Sequence, residues 1–201
     1  MKKITILYLL GLVGAVAPLV TASAGVEDIV KKCAVCHGDD GTSKYEEVPN
    51  IAGMSTVYIH DTMVAYQEKE RPGKKFKPED GEETDMNAVA EKLSEDDINA
   101  LADYYAAKPF VPHLQEVDAE MAAKGKKTFD KLCEKCHSES GTVADDDAGI
   151  LLGQWKTYLQ HEFELFDSQK RLMVKKMRKR YEKLSQQDKV EILEYLAGGK
   201  K

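Results

Sequence analysis

The sequence predicts an all-α protein built as two tandem copies of one small domain. Three observations predict it. The pentapeptide Cys-x-x-Cys-His occurs twice, as Cys33-Ala34-Val35-Cys36-His37 and as Cys133-Glu134-Lys135-Cys136-His137, and these ten positions hold every cysteine in the chain. The halves align with each other when the chain is shifted along itself. No segment alternates well enough for a strand, whereas apolar residues at helical spacing follow recognisable helix starts.

Cys-x-x-Cys-His is the attachment signature of c-type haem, in which two thiols bond the porphyrin edge and the next residue's imidazole ligates iron. Two such motifs predict two covalently attached haems c, held by Cys33 and Cys36 and by Cys133 and Cys136. His37 and His137 are then the proximal iron ligands. A Cys-x-x-Cys pair alone is ambiguous, since four thiolates also bind one zinc ion. The long separation of the pairs and the histidine after each disfavour zinc.

The chain opens with a secretory signal. Lys2 and Lys3 precede an apolar run from Ile4 to about Val20, and Ala22-Ser23-Ala24 supplies small residues for cleavage. Gly11, Gly14 and Pro18 interrupt that run, which is short for a membrane span. The expectation is a periplasmic protein with no membrane span in the mature chain. Export also makes spare thiols pair as disulfides unless something else claims them.

A shift of 100 residues lays Gly25 on Gly125, the first haem motif on the second, Ile51-x-Gly53 on Leu151-x-Gly153 and Tyr58 on Tyr158. A shift of 91 lays Met86 on Met177, Leu93-Ser94 on Leu184-Ser185 and Asp97 on Asp188. The change of shift places a 9-residue difference between Tyr58 and Met86. The Pro/Lys/Glu-rich stretch from Arg71 to Thr84 reads as that insertion and as an exposed loop. The domain organisation is therefore a signal peptide over 1–24, a first domain over 25–107, a linker over 108–117 carrying Pro109 and Pro112, and a second domain over 118–201. Such small domains bury little apolar surface alone, and a haem supplies the missing core.

An opening helix runs toward each motif, from about Val26 and from Asp118. Each copy closes with a stronger one. Ser94 caps the first, whose Ile98, Leu101, Ala102 and Tyr105 share a face. Ser185 caps the second, with Val190, Leu193, Tyr195 and Leu196 as its apolar content and Gly198-Gly199 as its stop.

Met86 and Met177 stand in register, each seven residues before a Leu-Ser helix start, and are the candidate sixth iron ligands. Met173 competes with Met177. The proximal histidines need an acceptor for their second nitrogen, and the Pro49 carbonyl is the candidate in copy one. Copy two lacks the matching proline. His60, His113 and His161 do not match across copies and read as surface or packing residues. Trp155 reads either as a haem neighbour donating to a propionate or as simple core, and Arg71 and Arg171 are weaker candidates for propionate pairing. His/Met ligation fills both axial positions and raises the potential, which suits outer-sphere electron transfer and not substrate turnover.

Residues 25–113 carry 10 Lys and Arg against 19 Asp and Glu, while residues 114–201 carry 17 against 16. An acidic exported protein is no nucleic-acid binder. The basic run Lys175 to Arg180 reads first as a solvated surface, and the sharper reading of the uneven charge is that the two lobes dock different partners.

Copy one resembles the c4-type dihaem cytochromes in Cys33-x-x-Cys36-His37-Gly38-x-x-Gly41, Pro49-Asn50-Ile51-Ala52-Gly53 and the run from Met86 through Leu93-Ser94 to Asp97-Ile98. Copy two resembles the cytochrome subunit of flavocytochrome c sulfide dehydrogenase in Cys133–His137, Gly153-Gln154-Trp155-x-x-Tyr158-Leu159-Gln160 and Arg171-x-Met173-x-Lys175-Lys176-Met177. That resemblance implies two class I cytochrome c domains with haem propionates facing across their interface. It also implies a partner carrying covalent FAD that oxidises sulfide, with this chain as the non-catalytic, electron-accepting subunit. The charged stretch from Arg71 to Thr84 departs from that subunit's pattern. The alternative is a free c4-type carrier delivering electrons to a terminal oxidase or acceptor cytochrome. A dihaem enzyme such as a peroxidase or thiosulfate dehydrogenase is the rival class, and the lack of a fifth cysteine removes its thiolate-ligated form.

Overall fold

The computed structural model describes residues 24–199. The signal peptide assigned to 1–24 lies outside them except for its last residue. Copy one comprises α1 (Ala24–His37), α2 (Thr56–Gln67), α3 (Met86–Ala90) and α4 (Glu95–Ala106). Copy two comprises α5 (Ala119–Leu132), α6 (Lys156–Asp167), α7 (Lys175–Tyr181) and α8 (Gln186–Gly198), with one distorted turn at Ser138–Gly141. Among the described residues the β structure is a single antiparallel bridge, Phe76 with Thr84.

The helices repeat the shifts seen in the sequence. α2 and α6 have the same length exactly 100 residues apart, and both are followed by a left-handed residue, Lys69 or Gln169. α3 and α7 end 91 residues apart. Ser94 and Ser185 each form a complete capping box: each side chain accepts from the aspartate N–H three residues on, and that aspartate accepts from the serine N–H.

Ile98, Leu101, Ala102 and Tyr105 are all buried on α4. On α8 the apolar face is shifted from the expectation. Val190 is 44% exposed, and Ile192 takes the buried place beside Leu193, Tyr195 and Leu196.

α8 lies directly against α5. A Cβ on Gly125 would run into the Glu191 carbonyl, so this approach needs glycine. Gly25, its counterpart on α1, has open space around it. Gly125→Val is therefore expected to destabilise the protein by about 3 kcal/mol, the upper end for overpacking. Gly25→Val should be nearly silent in the same thermal unfolding experiment.

The stretch from Arg71 to Thr84 is exposed over much of its length, as expected of a loop, but it is pinned to copy one. Phe76 and Thr84 exchange backbone hydrogen bonds of 2.8 and 2.9 Å. Phe76 packs edge-on against Tyr45 at 4.9 Å, Lys44 pairs with Glu79 at 2.6 Å, and Pro78 is buried. It forms a strap across copy one.

The copies meet along a polar seam. Asn50 N–H donates to Gln154 Oε1 at 3.0 Å, and Gln154 Nε2 donates back to the Asn50 carbonyl at 2.7 Å. Both side chains are essentially inaccessible. Between α4 and α5 the chain runs without helix along copy two, His113 N–H bonding Gly153 O and Gln115 N–H bonding Ala197 O.

Candidate haem sites

In copy one, Cys33, Cys36 and His37 occupy the last turn of α1 and line a cavity of about 750 Å³ that also touches Met86. That size is within the range of cofactor pockets. The core of copy one opens around it, with Met63 and Tyr66 on one side and Leu101 and Tyr105 on the other.

His37 Nδ1 lies 3.0 Å from the Pro49 carbonyl, the acceptor expected from the sequence. As donor to that carbonyl, Nδ1 leaves Nε2 with a lone pair. Burial lowers the ring's pKa, and the Pro49 bond opposes this only in part, so the imidazole is neutral. The turn is held by a network the sequence reading missed. Ser43 Oγ donates to the Cys36 carbonyl at 2.9 Å, and Ser43 N–H donates to Asn50 Oδ1 at 2.9 Å.

Met86 is the first residue of α3, with Asp85 as its N-cap accepting from Ala88 N–H at 2.9 Å. Asn87 then locks the helix. Its Nδ2 donates to the Tyr66 and Arg71 carbonyls at 2.7 and 2.8 Å, and its Oδ1 accepts from Gly73 N–H at 2.6 Å.

Copy two is built differently at the motif. α5 stops at Leu132, so Cys133 to His137 follow the helix in turns. One sequence difference accompanies this. Gly38 closes the first motif at φ +78°, where a Cβ would strike the Thr42 carbonyl. Its counterpart is Ser138, and the left-handed conformation moves to Glu139 and Ser140. His137 Nδ1 is buried without an acceptor at hydrogen-bond geometry. Gly149 stands where copy one has Pro49, and its carbonyl is near enough to oppose the lowering of the ring's pKa by burial. Burial also pushes the Cys133 thiol up to about 11, so it is protonated. Met177 sits within α7 in register with Met86. Met173 lies in the preceding loop, on a separate cavity of about 440 Å³ beside Phe166, Tyr181 and Lys189. Arg178 replaces Asn87 by register and is exposed, so α7 lacks the lock that holds α3.

Among the described residues no three metal-ligating His, Cys, Asp or Glu side chains converge, so the four thiols do not gather around one zinc ion. In copy one, unpaired thiols, a neutral imidazole with its second nitrogen anchored, and an apolar cavity with a thioether all fit covalent haem.

Comparison with known proteins agrees. A family model described as Cytochrome c matches residues 22–106. Cytochrome c4 of Azotobacter vinelandii is 31% identical over 147 residues, 69% of this chain and 68% of that protein. The chain belongs to the cytochrome c4 family. Cytochrome c4 of Pseudomonas aeruginosa is 27% identical over 97% of this chain and 96% of its own length. The solved cytochrome c4 of Acidithiobacillus ferrooxidans superposes with a TM-score of 0.69 at 26% identity, covering 84% of this chain and 99% of that one. As a cytochrome c4 the protein has tandem cytochrome c domains, carries two covalent haems c, and is an electron carrier and not an enzyme. Among its described residues no helix is long and apolar enough to cross a membrane.

These relatives favour the free carrier over the flavocytochrome subunit. The second-copy run behind the latter reading is used inside this molecule: Gln154 bonds Asn50, and Trp155 Nε1 donates to the Ser43 carbonyl at 3.0 Å. The Trp155 ring stacks on His113 at 3.9 Å. Trp155 is thus a seam residue, not the isolated core or propionate contact expected. His60 bonds Asp61 and Glu95, whereas His161 borders the copy-one cavity from copy two. Arg71 and Arg171 both pair with Glu162, Arg71 at 2.9 Å.

Proposed function

We propose that this chain is a periplasmic c4-type carrier that passes single electrons through two His/Met-ligated haems to a terminal oxidase. Cys33, Cys36, Cys133 and Cys136 would hold the porphyrins, His37 and His137 the proximal side, and Met86 and Met177 the distal side. Bound haem supplies reversible one-electron exchange between ferric and ferrous iron. The chain's part would be to hold His37, His137, Met86 and Met177 in place and to keep water out. The copy-one cavity carries this reading: anchored His37, both thiols and Met86 border one apolar space.

The test is expression in a host that matures c-type cytochromes. Intact mass should show two haems on a chain lacking its leader, and the oxidised protein should show the long-wavelength Met-to-iron band for both. The reduced protein should then sustain oxygen consumption by oxidase-containing membranes. Unaided turnover of peroxide or thiosulfate would overturn the carrier reading. Co-purification with a flavin-bearing subunit would return the protein to the sulfide dehydrogenase role.

A further inference from the structure

Arg71 and Arg171 are counterparts under the shift of 100, and so are Tyr58 and Tyr158. These matched pairs contribute the same groups from each half. The carboxylate between them has no match, because the residue 100 positions before Glu162 is Thr62. Glu162 belongs to α6 of copy two, yet it borders the cavity of copy one. Its Oε1 accepts from Arg71 at 2.9 Å and its Oε2 from Arg171. Tyr158 OH accepts from the same Arg71 nitrogen at 2.9 Å. The Arg71 and Glu162 side chains are only 5% and 8% exposed, and Arg171 is 18% exposed. Water screens these charges little, so they act strongly on a neighbouring redox centre.

We propose that Glu162 sets the reduction potential of the copy-one haem from across the domain seam. The inference rests on the dihaem reading above. The cluster carries one net positive charge. A negative charge at the cavity wall stabilises ferric over ferrous iron, so Glu162 holds that potential down. Nothing equivalent reaches copy two from Thr62.

The test is spectroelectrochemical titration of the intact dihaem protein. The copy-one midpoint is identified by its displacement in Met86→Ala. Glu162→Gln leaves two unbalanced guanidinium groups. It should raise that midpoint by a tenfold change in the ferrous-to-ferric ratio, about 59 mV for one electron, and move the other far less. Arg171→Gln, at the more exposed end, should lower the same midpoint, giving a second arm if Glu162→Gln fails to fold. The double variant Glu162→Gln/Arg171→Gln restores the net charge and should return the midpoint toward the starting value. A packing role alone would not produce opposite signs and compensation. Unmoved midpoints, equal movement of both haems, or no compensation would overturn the proposal. A product lacking two haems or the Met band would instead fail the dihaem reading.

Discussion

Replacing Arg71 by methionine is expected to cost about 3–5 kcal/mol of stability, the range for removing one partner from a buried ion pair. Arg71 holds Glu162 and Tyr158 together and stacks over Tyr66 at 4.9 Å. Methionine keeps much of the volume and removes the charge, leaving a carboxylate whose remaining ion-pair partner is Arg171. Urea unfolding at neutral pH measures the loss. The pH dependence gives a second signature. Burial drives the Glu162 pKa up, but the two arginines overcome it and hold the group below its ordinary 4.5. The bridge therefore contributes fully above pH 4.5, and the contribution disappears as pH falls through the depressed folded value. Without Arg71 the folded pKa rises toward that of the unfolded chain, so the variant should lose less stability than the parent as pH falls through this range, and the gap between the two should narrow in acid. An unchanged acid limb with unchanged urea stability would show that the bridge is energetically idle.

Met86→Ala is expected to abolish one Met-to-iron band and lower one midpoint by on the order of 100 mV or more, within the roughly 0.8 V that axial ligands span. The other band should persist, because Met177 stands on its own helix, α7. Met177→Ala should do the same for copy two, while Met173→Ala should leave both bands intact. The expected folding cost of Met86→Ala is small beside its redox effect, since α3 remains tied by Asp85 and by the three bonds of Asn87. Loss of both bands in the Met86 variant would mean that the copies do not ligate independently.

Much of this molecule is legible from local pattern. The haem motifs are contiguous. The two serine caps are read from three-residue spacing, and both form the boxes they imply. The Pro49 carbonyl, twelve residues beyond His37, is also the acceptor expected. What failed did so for physical reasons. Val190 and Ile192 both suit a helix face, and only the position of α5 decides which is covered. Phe76, among lysines and acids, looks like loop until Tyr45 is found beside it. Glu162 drew no reading from the sequence, because one of the two arginines that compensate it lies 91 residues away. The difference between Gly38 and Ser138 was visible, but its consequence for the second motif depended on where the following turn could bend.

Chain order alone settles the cofactor chemistry, the duplication and the helical class, because each rests on residues that are neighbours or stand at a constant repeat distance. The meeting of Asn50 with Gln154, the strap over copy one, and the capture of a copy-two carboxylate at a copy-one cavity exist only once the chain is folded. Such contacts join polar groups remote in sequence. Whether a polar side chain ends in water or in a buried pair is decided by the partner that folding brings to it.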